Sequence, residues 1–436
     1  MKNYRYYRII FILILAVTLT SAYFISVYAA AAYLRIEQSG IYSAVTPDFA
    51  AINRGVSLSS DDTVAFSSIN PSATGERQAA EIWKIIRKYS ATGKFIIEQT
   101  AAVHGADAVG TINKWLAGAG QDSLFMNLSF AEHEEYHFFQ YSVSPECVDI
   151  SVWNAGRQMI GDKVVCVPFN NYLPVTTVFK TVEVNGTASP AYGVENVFSR
   201  MNGKSPGLSA RDASRAPGNE SIIVTGTAAK ATPAELRTFR WEMYVSPDSI
   251  LDSNTKGAYG LLNELGAYYY GYKTAADCQG YLIDYLNVNG YSQDLVFGYL
   301  ASVSDALSFY EFKFWTLEYL IYLKEHFPEH YRDFLANGPY LEAFVYFHDC
   351  FEELVERIIP EKNKVLLDMV NGLGIKGWED DEAVWIGKNG IGKQTETVRL
   401  LKNQMALPEY ITMMNNLRNA IIYDQEGSYA NHALAR

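Results

Sequence analysis

The chain has 436 residues, 49% of them hydrophobic, enough to bury one large core or two ordinary ones, which excludes a disordered chain. Lys and Arg number 36 against 48 Asp and Glu, a formal charge of -12, and Lys2, Arg5 and Arg8 all sit in the first eight residues, so the body without them is more acidic still. Such a surface repels polyanions, which makes nucleic acid and anionic lipid headgroups poor partners.

The opening MKNYRYYR is a positive n-region, and Ile9 to Leu34 carries no charge. The run ends in small residues, where Val27-Tyr28-Ala29 or Ala29-Ala30-Ala31 suits signal peptidase, so residues 1–32 read as a signal peptide. The same run is long enough to span a bilayer as an uncleaved anchor. Either way the rest of the chain is expected outside the cytoplasm, secreted or tethered at its N-terminus, because the positive charges precede the apolar run.

Residues 33–125 form an N-terminal region. Ser39 to Thr74 lacks periodicity and reads as irregular, whereas Glu76 to Tyr89 has helical spacing, with Ile82, Trp83, Ile85 and Ile86 on a core face. Ala106 to Ala119 repeats the pattern more weakly. Leu128 to Tyr141 is a further helix with Ser129 as its N-cap. Past Ser142 the character turns to β: Val164 to Phe169, Val175 to Val184, Ser221 to Gly226 and Thr238 to Val245 are rich in β-branched and aromatic residues. Met201 to Glu220 between them is loop by composition. From Ala258 helices return almost to the end, including Ser304 to His326, Pro328 to Leu335, Tyr340 to Ile359 and Thr395 to Met405. The expected fold class is therefore α+β: a helical region over 126–290 with a β-rich insertion at about 142–257, then a long C-terminal helical region over 291–436.

Four cysteines in an exported chain permit disulfides, and proximity favours Cys147 with Cys166, leaving Cys278 with Cys350; buried free thiols are the alternative. None has CxxC spacing, which argues against a thiolate zinc site.

His133-Glu134-Glu135-Tyr136-His137 fits H-E-x-x-H in a chain with only 7 histidines. On a helix, residues four apart share a face, so both imidazoles reach one ion while Glu134 faces the water opposite. The run EHEE would also suit a solvated helix face, but Phe130, Phe138 and Phe139 mark a helix buried on more than one side. A catalytic zinc takes three protein ligands and keeps a position for water, so a third must come from elsewhere. Glu264, an acid in the otherwise apolar and aromatic segment GLLNELGAYYYGY, is the best candidate in the chain.

With Asn263-Glu264 following the His133-Glu134-x-x-His137 segment, the chain resembles the gluzincin metallopeptidases, the clan of thermolysin, whose third zinc ligand is the Glu of a G-x-x-N-E segment on a second helix. The resemblance covers two short segments. It implies a helical active-site core in which His133, His137 and Glu264 ligate Zn2+ and Glu134 activates water to hydrolyse peptide bonds of a peptide or protein substrate. Residues 138–263 separate the two segments, far more than in thermolysin, and Tyr268 stands where thermolysin has an Asp. The oxyanion donor is expected at Tyr268 or at Tyr259, just before the Glu264 helix. Two other readings use the same residues: a catalytically inert, metalloprotease-like binding protein at the cell surface, and a zinc hydrolase of non-peptide amides.

A rival motif, His326-Phe327-Pro328-Glu329-His330, fits H-x-x-E-H, but Pro328 breaks the helical face that the motif needs and marks the start of a new helix. His104, His348 and His432 are isolated and read as structural or surface residues.

Overall fold

The computed structural model describes residues 63–117, 123–141, 155–161, 163–168, 175–184, 187–195, 238–245, 258–304, 306–326 and 328–434. The fold is α+β, mostly helical with small antiparallel sheets. The N-terminal apolar segment lies outside the described residues, and among those described no helix is long and apolar enough to cross a membrane.

Helix α1 (Glu76–Tyr89) buries Ala79, Ile82, Ile85 and Ile86, the face its spacing predicts. It hands over at Ser90 to α2 (Ala91–His104), whose Gly93 amide is capped by the Ser90 hydroxyl. That second helix has no amphipathic signal in the sequence analysis. Next come α3 (Ala108–Leu116), capped by Asp107, and α4 (Leu124–Tyr141). The latter starts a turn earlier than predicted, so Ser129 sits inside the helix and is not its N-cap.

Strands β1 (Ala155–Ile160) and β2 (Lys163–Pro168) pair antiparallel, with Arg157 opposite Cys166 and Met159 opposite Val164, around Gly161 at φ 64°. Strands β3 (Val175–Val184) and β4 (Thr187–Glu195) form a second antiparallel pair. The predicted strand at Ser221 to Gly226 lies outside the described residues. The one predicted over Thr238 to Val245 is instead helix α5 (Phe239–Tyr244), because the Thr238 side chain accepts from the Arg240 amide as an N-cap and buried Arg240, Trp241, Tyr244 and Val245 recur at helical spacing.

Helix α6 (Ala258–Asp277) is the axis of the molecule, with every residue buried except Tyr268, Lys273 and Asp277. It packs against α4, and on its other sides against α8 (Gln293–Val303), α9 (Leu307–His326) and α11 (Gly338–Glu353). Between α6 and α8 runs α7 (Gln279–Asn289), and α10 (Pro328–Leu335) opens with the proline that separates it from α9. A π-helical turn at Leu354–Ile358 leads into α12 (Ile359–Gly372). The C-terminal region then departs from the expected run of helices: β5 (Gly377–Glu379), β6 (Ala383–Ile386) and β7 (Asn389–Gly392) make a three-stranded sheet. Its cross-strand pair Trp378 and Trp385 stacks with ring centroids 5.8 Å apart, and Gly390 lies under the Trp385 ring. Helices α13 (Thr395–Met405) and α14 (Pro408–Leu434) complete the chain.

Cys166 is disulfide-bonded, and its expected partner Cys147 lies outside the described residues. The expected Cys278 to Cys350 pairing is not made: both are free thiols. Cys278 is buried at the turn from α6 to α7, where burial, with Asp277 beside it, pushes the thiol well up and keeps it protonated.

Candidate metal centre

Helix α4 buries Leu124, Phe125, Leu128, Ala131, Glu132, Glu135, Tyr136 and Phe139, a stripe at the period of a core-facing helix. The H-E-x-x-H histidines project from a neighbouring face toward α6. Two glycines on α6 let the helices approach this closely. A Cβ on Gly271 would stand 2.9 Å from the Ser129 carbonyl oxygen and 3.5 Å from the His133 Cβ, and one on Gly266 would stand 2.9 Å from the Tyr136 ring.

The approach brings His133, His137 and Glu264 together. The Nε2 atoms of His133 and His137 are 3.1 Å apart, and Glu264 Oε2 lies 3.7 Å from the first and 3.4 Å from the second. Ligands about 2.0 to 2.1 Å from a tetrahedral ion sit about 3.3 to 3.4 Å from one another, so the three atoms already trace one face of such a tetrahedron. Glu264 Oε2 is buried and makes no hydrogen bond in this arrangement, an orphaned carboxylate oxygen aimed between two imidazole nitrogens. That is a position a cation satisfies. Two imidazoles with one carboxylate suit a borderline transition metal better than calcium or magnesium, which take oxygen ligands. The triad could hold such an ion.

Protonation follows from the surroundings. Burial, with His137 and the Arg240 cation nearby, drives His133 well below the usual imidazole range, leaving it neutral with a lone pair to give. Burial would lower His137 too, but the Glu264 carboxylate outweighs it and holds the ring up to about 9. Glu134 is half-buried on the same helix; burial lifts its carboxyl, His137 opposes this, and Glu264 adds to it. A carboxylate raised in this way is a stronger proton acceptor.

The other two acids of the EHEE run are core residues. Glu132 and Glu135 are fully buried, so the run is not a solvated face. Burial pushes Glu132 well up and Glu135 up to about 8, the latter against Thr111, Thr100, Trp115 and Lys114 around it.

His137 Nδ1 faces the carboxamide oxygen of Gln140 at 2.9 Å. Tyr268 is packed edge-to-face on the His133 ring, centroids 4.6 Å apart. Its hydroxyl accepts from Arg240 Nε at 3.2 Å and lies 3.3 Å from the Tyr244 hydroxyl, so α5 lines the site with a cation and a second phenol. Because a guanidinium can only donate, the Arg240 bond does not use the Tyr268 hydrogen, and in the Tyr268–Tyr244 pair either hydroxyl can be the donor. Burial raises Tyr268 against the opposing Arg240 and keeps it protonated at neutral pH. Tyr259 is engaged elsewhere: its hydroxyl accepts from Asn337 Nδ2 at 3.3 Å and its ring packs on Phe334 and Tyr340. Sequence reasoning missed Arg240 and Tyr244 because their segment reads as a strand there, and missed Gln140 because a glutamine after the motif looks like any helix polar residue.

The rival motif spans the break between α9 and α10, and the side chains of His326, His330 and His432 lie outside the described residues. His104 packs on the Phe138 ring and is pushed down to about 4, burial leading and Lys114 adding. His348 is buried with its Nδ1 2.7 Å from Asp349 Oδ1.

Comparison with known proteins finds no matching family model, no matching curated protein and no matching solved structure.

Proposed function

We propose that the chain is an exported zinc-dependent metallopeptidase of the gluzincin type. The observation that carries this reading is the convergence of two imidazole nitrogens and a buried carboxylate oxygen from two helices, with Glu134 one residue from the first ligand and on the same helix. Held there, zinc would supply Lewis acidity, acidifying water and polarising the scissile carbonyl. Glu134 accepts the proton of the attacking water and passes it to the leaving amine, a task its raised carboxyl suits. With Arg240 and Tyr244 donating to its oxygen, Tyr268 gives its hydrogen to the oxygen on which negative charge develops. The positive n-region and uncharged run before residue 35 support export, and the acidic body favours basic or neutral peptides.

Zinc stoichiometry and peptide-library cleavage, measured on wild type, Glu134→Gln and Glu264→Ala, test the reading. Glu134→Gln keeps its zinc and loses at least the roughly 10² to 10⁴-fold typical of a general base. Glu264→Ala loses the metal, since two imidazoles are fewer than the three protein ligands of a catalytic zinc. Cleavage by Glu134→Gln or full zinc in Glu264→Ala would place the base or the third ligand elsewhere. A zinc-loaded chain that cuts no peptide would move the substrate to other amides, and a chain that takes up no zinc would leave an inert binding protein.

A further inference from the structure

We infer that Gln140, Gln158 and Asn263 form a positioning network that fixes the tautomer and aim of His137, and that the β1–β2 hairpin is thereby a working part of the metal centre. The inference rests on the metal-site reading and concerns how the site is held in register.

Two backbone groups determine the direction of every bond. The Met159 amide, which can only donate, gives its hydrogen to the Tyr136 hydroxyl oxygen at 3.0 Å. Tyr136 must then donate its own hydrogen, and does so to Gln158 Oε1 at 3.0 Å. That sets the Gln158 carboxamide, whose Nε2 donates to Asn263 Oδ1 at 2.7 Å, and Asn263 Nδ2 donates in turn to Tyr141 at 2.6 Å. The second fixed point is the Asn263 carbonyl, which can only accept: Gln140 Nε2 donates to it at 2.8 Å and to Gln158 Oε1 at 3.2 Å. Gln140 cannot flip without facing its oxygen to two acceptors. Its Oε1 is therefore the atom that meets His137 Nδ1 at 2.9 Å, and it accepts. With Nδ1–H committed to Gln140, the proton that a bound ion would displace is the one on Nε2, and the lone pair this frees points at His133 and Glu264.

Gln140, Gln158 and Asn263 are all buried, so no water competes for these bonds, and they come from three elements: α4, β1 and the residue before the third ligand on α6. Outer partners of a ligating histidine are usually carboxylates, carbonyls or water, and losing one typically costs 10 to 100-fold in metal affinity. A locked carboxamide performs the same orientation without adding charge to a site whose only described anions are Glu134 and Glu264.

The test uses the full-length chain with Gln140→Met, Gln140→Glu and Gln158→Met, titrated with Zn2+ against a chromophoric chelator and with Co2+ by visible absorption. Gln140→Met is expected to lose 10 to 100-fold in zinc affinity and to shift the cobalt band. Gln140→Glu, which keeps an acceptor at Nδ1, recovers part of both. Gln158→Met loses affinity too, although no described atom of Gln158 touches a ligand. Should Gln158→Met not fold, Gln140→Met decides, since it carries the contact to His137. Folded Met variants with wild-type affinity and an unchanged cobalt spectrum overturn the network. A wild-type chain that binds neither ion overturns the metal site itself.

Discussion

At the scale of single residues, the three acids of the EHEE run have two different fates. Glu134 faces the histidine pair, while Glu132 and Glu135 are turned into the core. Glu135 makes the sharper test, since burial lifts its carboxyl from the usual 4.5 to about 8. The folded chain then holds a proton that the unfolded chain has released, so stability falls as pH rises from about 4.5 to about 8 and is flat on either side. At pH 7 the cost is on the order of 3 kcal/mol. Glu135→Gln mimics the protonated acid. It should unfold at a higher temperature than wild type at pH 7 and above, with the gap closing by pH 4.5; thermal melts across that range check this, and a constant gap would mean that Glu135 is ionised in the fold. The flanking aromatics mark the helix in the sequence as buried on more than one side, but not which of its acids enters the core. What separates the three is what each meets: Glu135 the Thr111, Trp115 and Thr100 side chains of α3 and α2, Glu132 the Lys273 and Asp277 end of α6, and Glu134 the His137 and Glu264 pair. The histidine pair was legible, because i and i+4 spacing is local, and so was Glu264, because an acid in an apolar helix needs a partner. Gln140, Gln158 and Asn263 were not, since their meaning lies in contacts between residues more than a hundred positions apart.

At the scale of elements, α1, α9 and α10 follow their spacing, and α13 and β3 match their predicted bounds, because their own residues decide them. Helix α5 reads as a strand by composition, yet the Thr238 cap and a helical burial stripe override the aromatic and β-branched content. The candidate metal centre depends on how closely two helices lie, which the small residues at their interface set. Gly271→Ala puts a methyl group 2.9 Å from a backbone oxygen that cannot swing aside, so α4 and α6 must separate. The expected result is a loss of about 1 to 3 kcal/mol in stability together with weaker zinc binding, because His133 and Glu264 sit on opposite sides of the widened gap. Gly372→Ala is the matching control. Nothing lies within 4 Å of its added carbon, and both denaturation and zinc titration should leave that variant close to wild type.

At the scale of the whole molecule, the candidate metal centre leans on a part of the chain remote from its motifs. One buried cluster runs from Ile69 to Leu417, and α6 carries Glu264 on one side while packing on α9 and α11 with others. The tie that bears on the site is electrostatic. Arg240 of α5 donates from Nη1 to Glu311 Oε2 of α9 at 2.9 Å, and Thr238 donates to the other oxygen of the same carboxylate. Arg240 is 4% exposed and Glu311 fully buried, so the pair is shielded from water. Removing one member of a buried pair costs about 3 to 5 kcal/mol, because the remaining charge loses its counter-ion in a medium that solvates it poorly. Glu311→Ala is therefore expected to lower the denaturation midpoint severely. Glu311→Gln keeps two polar atoms for Thr238 and Arg240 and should cost less. The second effect is functional: an amide in place of the carboxylate attracts the Arg240 cation less, and so holds the Tyr268 hydroxyl less firmly beside His133. In folded Glu311→Gln, the proposed mechanism expects kcat to fall while zinc content stays full, since it assigns Tyr268 to the developing oxyanion and His133, His137 and Glu264 to the ion. A Glu311→Gln chain with unchanged kcat would show that α5 is scaffolding only, and one that binds less zinc than wild type would show that the C-terminal helices act on the proposed ligands themselves.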